Sequence, residues 1–356
     1  MQSESIELGF LSIFSLFTFF IFLMVSKYSN KIFSGVLIDN DFEKPQAFHS
    51  EPVSRSGGLA SFISLFIFFY FYYLLYSEIL VDYILIATSV FIIGSLDDFK
   101  IKINPTTRLI AMIIILFVLI NFLQIKIKSI DLIFLNSLLT IKLFSVLFTL
   151  LCFLFIINGA NLIDGFNGLL TINLILINSI LLYINLKSNN LEFSIFLIAQ
   201  LTILICFLMF NFPKAKIFFG DSGSYLFGSL VSLNTVITNN LNPDISSFFF
   251  CIILSYLFLE VFFSFLRKVY QKKSPFFPDN KHLHMLSYEK ILKYFGKEKS
   301  NYMNSFIINM VYLILVMPSV YFIYNPLICK LWFFTLMICY LIIYLKLNKT
   351  RLNSIK

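Results

Sequence analysis

The sequence predicts an all-α polytopic integral membrane protein, and three observations carry that prediction. Apolar residues fill 59% of its 356 positions and charged residues only 13%, whereas a soluble domain is about half apolar and about a quarter charged. The apolar residues come in blocks of roughly 20, the length a helix needs to cross a bilayer core. The basic residues gather between alternate blocks rather than along the whole chain. Forty-six Phe against one Trp and 12 Gly exclude a collagen-like, disordered or nucleic-acid-binding composition, although the net charge is +8. No nucleic-acid partner is expected.

About 11 transmembrane helices (10–11) are read, near 8–26, 57–76, 79–96, 106–123, 143–160, 168–186, 192–210, 222–240, 245–266, 305–324 and 327–345. The first is read as a retained span, because M-Q-S-E-S-I-E ahead of it carries two acids and no base, unlike the basic start of a cleaved signal. With the N-terminus outside and the C-terminus cytoplasmic, 22 of the 27 Lys and Arg fall inside, as the positive-inside rule requires. The whole chain, 1–356, is read as one transmembrane domain with cytoplasmic loops at 27–56, 97–108, 158–168, 211–222 and 267–304. Cys152, Cys206, Cys251, Cys329 and Cys339 stand singly in apolar segments, which is neither a disulfide framework nor a zinc site.

The informative residues are acids and amides at the inner ends of the spans, where carboxylates near lipid are costly and mark a site by default. Asp97 and Asp98, in G-S-L-D-D-F-K, are able to hold a hard cation, or one can act as base while the other fixes metal or water; a hydrated acidic helix end is the plain alternative. In N-G-A-N-L-I-D-G-F-N-G-L, Asn158 and Asn161 share a helix face, and Asp164 and Asn167 follow among glycines that allow close approach. Helix-end caps are the plain alternative here. In N-F-P-K-A-K-I-F-F-G-D-S-G-S, which opens on Asn211, Asp221 starts the eighth span beside two glycines and two hydroxyls. A helix start is an anion site, and an aspartate there is also able to hold a cation that bridges to phosphate. His282 and His284, in P-D-N-K-H-L-H-M, lack the further ligands zinc needs and suit phosphate contact; a solvated loop is the plain alternative. His49 and Arg55, in H-S-E-P-V-S-R-S-G-G-L, precede the second span, and Arg55 offers a forked grip on phosphate.

Read in order from His49 to Met285, these segments resemble the polyprenyl-phosphate N-acetylhexosamine-1-phosphate transferases of WecA/MraY type (glycosyltransferase family 4), nearer the WecA-like branch. The resemblance implies transfer of a HexNAc 1-phosphate (GlcNAc or a related sugar) from a UDP-sugar to undecaprenyl phosphate, with UMP released and Mg²⁺ required, Mn²⁺ being an admissible substitute. It implies an initiating role in a cell-surface glycan such as O-antigen or teichoic acid, at a bacterial inner membrane with the site facing the cytoplasm. Membrane lipid and a second copy of the chain, as a homodimer, are the further partners. Carried over by position, Asp97 and Asp98 are the catalytic pair, and Asn161 and Asp221 ligate the metal. Arg108 in P-T-T-R-L, Asn158, Asp164, Asn167, Asn211, His282, His284, His49 and Arg55 contact substrate. Glu260 and Arg267 resemble D-T-x-x-x-x-x-R with Glu for Asp. Met285 stands where the last histidine of H-x-H-H belongs, Asn167 where many members have Asp, and Ser54 where the second proline of H-x-x-P-x-P-R-x-G-G belongs.

Two other readings fit the sequence less well. An ion-coupled transporter predicts polar residues near the span centres and a duplicated half, whereas these residues sit at one face without a repeat. A CDP-alcohol phosphatidyltransferase requires D-G-x-x-A-R, and F-N-G-L-L follows Asp164-Gly165 instead.

Overall fold

The computed structural model describes residues 2–29, 31–40, 51–101, 103–274 and 279–355. In lipid every backbone N–H and C=O must be satisfied within the segment, which leaves helices for a chain this apolar. The helices are α1 (Gln2–Tyr28), α2 (Gly57–Tyr76), α3 (Val81–Asp98), α4 (Pro105–Phe122), α5 (Ile133–Leu139), α6 (Lys142–Ile163) and α7 (Leu169–Lys187). They continue with α8 (Leu191–Asn211), α9 (Gly220–Leu241), α10 (Ser247–Ile253), α11 (Ser255–Tyr270), α12 (Leu283–Leu292), α13 (Lys297–Val316) and α14 (Pro326–Ile355). Pro105 opens α4 behind an extended Asn104, since proline needs no N–H partner at a helix start and pushes its predecessor out of helical geometry.

Against the expected 11 spans, eight helices among the described residues are long and apolar enough to cross a membrane. The number becomes nine if α10 and α11, bent by 76° at their junction, form one broken span. The two that fall short are α3, which carries Asp82, Asp97 and Asp98, and α9, which is rich in Ser, Thr and Asn. The reason is burial. Eighteen of the 22 residues of α9 are buried, so lipid never meets its polar side chains. It traverses the bundle: Asp221 marks one end, and at the other the Asn240 amide donates to the Lys126 carbonyl at 2.8 Å. The outer helices do face lipid, with Ile114, Phe122 and Ile314 all more than half exposed.

α3 packs along α9 and close to it. A side chain at Gly94 would come within 2.5 Å of the Asp221 carbonyl oxygen, so only glycine permits this crossing. The fold is not wholly helical: β1 (Ile38–Asp39) and β2 (Val53–Ser54) pair antiparallel, and Ser54 also bridges to Ile217. That ribbon ties the segment before α2 to the segment before α9, through N–H donation from Phe218 to Ser54 and from Gly57 to Phe218.

Polar side chains are not confined to one end, contrary to expectation. Midway along α7, α8 and α9, the Asn234 amide donates to Asn178 at 3.0 Å and to Gln200 at 2.9 Å, and its oxygen accepts from Tyr83 at 2.9 Å. Asn178, Gln200 and Asn234 are fully buried.

Candidate active site

At the end of the bundle where α3 and α8 stop and α4 and α9 start, four of the expected residues meet. The pivot is Asp221 in the first turn of α9. One carboxylate oxygen accepts from the Arg108 guanidinium at 2.6 Å and the other from the Asn161 amide at 2.9 Å. The same Asn161 nitrogen donates to the Ser224 hydroxyl at 3.1 Å. Arg108 also lies 3.1 Å from Asp97 and stacks over the Tyr225 ring at 5.6 Å. Helix geometry explains the convergence: Arg108 sits one turn inside α4, Asn161 one turn before the end of α6, and Asp221 at the start of α9.

Adjacent in sequence, Asp97 and Asp98 have different surroundings. The Asp97 side chain is 42% exposed and Asp98 only 1%. Asp98 accepts the backbone N–H of Asp221 at 3.0 Å and of Ser222 at 2.9 Å. Asp97 faces a cleft of about 520 Å³ whose lining includes Asp39, Arg55 and Lys100. Arg55 grips Asp39 through Nε at 3.0 Å and Nη2 at 2.7 Å, and its third nitrogen lies 3.5 Å from Asp97. Sequence reasoning passed over Asp39 and Tyr225. The signals were an I-D-N-D run before the ribbon and the tyrosine that closes G-D-S-G-S-Y.

Asp164 ends α6, its N–H donating to the Asn161 carbonyl, and its side chain makes no hydrogen bond or ion pair among the described residues. Burial raises its pKa well above the usual carboxylate value, and the charges of Asp221 and Asp98 add to the rise. Burial and Asp221 push Asp98 up to about 7, against the Ser222 N–H and Arg55. Asp221 is raised by burial as well, against Arg108. All three groups lie at helix ends, outside the apolar stretches. Burial is the leading cause for all three, and positive charge offsets it only in part, since Arg55 is largely engaged by Asp39.

That deficit, with a donor set made only of oxygen, suits a hard divalent cation. Magnesium keeps several waters and needs only one or two carboxylates besides substrate phosphates. Among the described residues no group of three His, Cys, Asp or Glu is gathered closely enough to hold a metal ion by itself. The Asp221 carboxylate, with the Asn161 amide on it, could hold one only together with substrate phosphates and water.

Other expected residues lie elsewhere or are already engaged. Both ends of the Asn211 amide serve backbone, accepting from the Gly168 N–H at 2.7 Å and donating to the Ile217 carbonyl at 3.0 Å, so it shapes two loops. Asn167 donates its side-chain amide to the Pro213 carbonyl at 2.9 Å, and its own N–H donates to Asn301 at 2.8 Å. Asn158 bonds back to Leu154 in its own helix at 2.7 Å.

His282 and His284 are buried, not presented to a phosphate. Their rings stack 5.5 Å apart, with Glu260 3.1 Å from His282 and 3.6 Å from His284. Burial holds the His282 pKa below its ordinary value despite Glu260. Arg267 pairs with Asp279 at 2.8 Å beside them, and Met285 is buried in the same turn. Phe166, from the Asp164 loop, packs on His284 at 5.7 Å, so this cluster backs the site without joining the carboxylates. His49 lies outside the described residues.

Comparison with known proteins follows the same residues. The family model described as glycosyl transferase family 4 matches residues 80–239, a range that holds Asp97, Asp98, Arg108, Asn161, Asp164 and Asp221 but neither Arg55 nor the Glu260 cluster. An undecaprenyl-phosphate alpha-N-acetylglucosaminyl 1-phosphate transferase of Thermotoga maritima is 28% identical over 247 residues, covering 69% of this chain and 72% of that protein. A phospho-N-acetylmuramoyl-pentapeptide-transferase of Dictyoglomus turgidum is 28% identical over 63% of this chain and 73% of its own length. The Clostridium perfringens counterpart is 34% identical over a shorter stretch, 31% of this chain and 34% of that protein. The chain is thus similar to glycosyl transferase family 4 over the segment that builds the carboxylate cluster, and to relatives named for N-acetylglucosaminyl 1-phosphate and phospho-N-acetylmuramoyl-pentapeptide transfer.

Proposed function

We propose that the protein transfers a HexNAc 1-phosphate from a UDP-sugar to undecaprenyl phosphate and releases UMP, with the site on the cytoplasmic side of a bacterial inner membrane. The observation that carries this reading is the meeting of Asp221, Arg108, Asn161 and an exposed Asp97 at one end of a lipid-facing bundle. Both reactants are anions that repel each other, and one of them cannot leave the membrane. A charged site at a helix-bundle end serves both: the donor arrives from water and the polyprenyl chain stays in lipid.

In the proposed reaction an oxygen of the lipid phosphate bonds to the sugar-bearing phosphorus, and the bond from that phosphorus to the UMP oxygen breaks. Asp97 is the carboxylate that takes the acceptor's proton in this reading, because its side chain is 42% exposed against 1% for Asp98 and 19% for Asp221. Arg108 and Arg55, the latter with Lys100 in the cleft, balance phosphate charge on either side of Asp97. A bound magnesium ion would neutralise the donor pyrophosphate and polarise the phosphorus under attack. Preorganised charge of this kind works best where water is excluded and dipoles are fixed in advance.

The test is UMP release by membranes supplied with undecaprenyl phosphate and a panel of UDP-sugars. Turnover on a UDP-HexNAc that requires both the lipid and Mg²⁺ is the expected result; no turnover on any member of the panel overturns the substrate class. A phosphorylated enzyme trapped without lipid acceptor would replace direct attack by a covalent route.

A further inference from the structure

We propose that Asp98 is a positioning residue and Asp97 the reacting carboxylate: Asp98 clamps the first turn of α9 and thereby fixes where Asp221 points. Free N–H groups at a helix start need acceptors, and these usually come from the residue just before the helix. Here Phe219 precedes α9 and provides no side-chain cap. The acceptor comes from another helix instead: each oxygen of Asp98 takes one N–H, from Asp221 and from Ser222.

The surroundings are shaped to that carboxylate. Gly220 has φ +75°, a conformation few other residues adopt, and a side chain there would lie 2.6 Å from both Asp98 oxygens. Gly94, one turn earlier on α3, lets the Asp221 backbone approach. Asp98 is 2% exposed, and although it borders the cleft, each of its oxygens already accepts a backbone N–H from α9. Residues that orient a ligand to a metal without touching it cost about 10–100-fold in metal affinity or activity when changed.

The experiment is hydrogen–deuterium exchange on the full chain in lipid nanodiscs, paired with magnesium titration of UMP release. Only the kinetic arm rests on the transferase reading; exchange reports on the clamp even in a protein that shows no turnover. In Asp98→Asn, peptides covering 218–226 should exchange at least about 10-fold faster, since an amide offers one acceptor where two are used. The magnesium concentration for half-maximal rate should rise about 10-fold or more, with kcat at saturating magnesium recovering most of its value. Asp97→Asn should show the reverse: unchanged exchange and a kcat that magnesium does not restore. Gly220→Ala removes no chemistry, so it should reproduce the Asp98→Asn pattern, and it decides the matter if Asp98→Asn does not accumulate. Unchanged exchange in Asp98→Asn, or a kcat loss at saturating magnesium as deep as that of Asp97→Asn, overturns the proposal.

Discussion

Two polar regions share α3 and α9 and behave in opposite ways. At one end, Asp97, Asp98, Asp164 and Asp221 face Arg55 and Arg108, with negative charge in excess and Asp97 open to a cleft. In the middle, Tyr83, Asn178, Gln200 and Asn234 are neutral, enclosed and bonded to one another. The first cluster has unmet electrostatic demand and is therefore built to bind something; the second has satisfied its own demand and joins helices. Polar residues within a bilayer thus mark function only when charge or hydrogen bonding is left over. A transporter reading would look to the middle cluster, but no carboxylate stands in it and its amides are turned toward each other.

The sharpest way to break this comparison is to neutralise the pivot. Asp221→Asn should lower UMP release by about 10²–10³-fold, the usual cost of removing one preorganised charge, while the melting temperature of the purified protein shifts little. Activity near wild type would show that the charged end is not the reacting one. Next comes the proposed general base. Asp97→Asn should cost about 10²-fold or more in kcat. A kcat within a few-fold of wild type assigns the base elsewhere.

Chelation probes the leftover charge directly. EDTA should abolish turnover and added Mg²⁺ restore it, and Mg²⁺ should raise the melting temperature of wild type more than that of Asp221→Asn, because a ligand that binds only the folded state stabilises it. Equal shifts in both would place the cation away from Asp221. The smallest effect belongs to the middle cluster. Asn234→Ala should leave kcat/KM within about twofold while lowering stability by about 1–2 kcal/mol, the range for hydrogen bonds between membrane helices. A large loss of turnover with unchanged stability would turn that cluster from glue into part of the mechanism.

How much of this was legible depends on the kind of contact. Asp97, Arg108, Asn161 and Asp221 come together as their motifs implied, because each sits at a span end and span ends alternate between two levels. Asn167 and Asn211 stand in the same motifs, yet their amides bond to the backbone of other loops, and a motif does not reveal which atom of an amide is already used. The two histidines read as solvent-side phosphate contacts because their loop is long and basic; burial against Glu260 is a packing outcome from a helix more than twenty residues away. The pairing of Arg55 with Asp39 needed the ribbon that lays Asp39 opposite Val53, and strands of two residues leave no periodic trace. The span count suffered from the reverse problem: α3 and α9 look like spans in order and length, but they are shielded by other helices and need not be apolar enough for lipid.

What the sequence determined by itself is the bundle and its polarity: apolar blocks of bilayer length must become helices, since lipid offers no partner for a free backbone group. It also set the level at which the acids lie, because they fall where the blocks end. Only the tertiary structure decided which of two neighbouring aspartates is open to solvent. Successive residues point about 100° apart around a helix, and the approach of α9 past Gly94 and Gly220 takes Asp98 for its own first turn and leaves Asp97 to face outward.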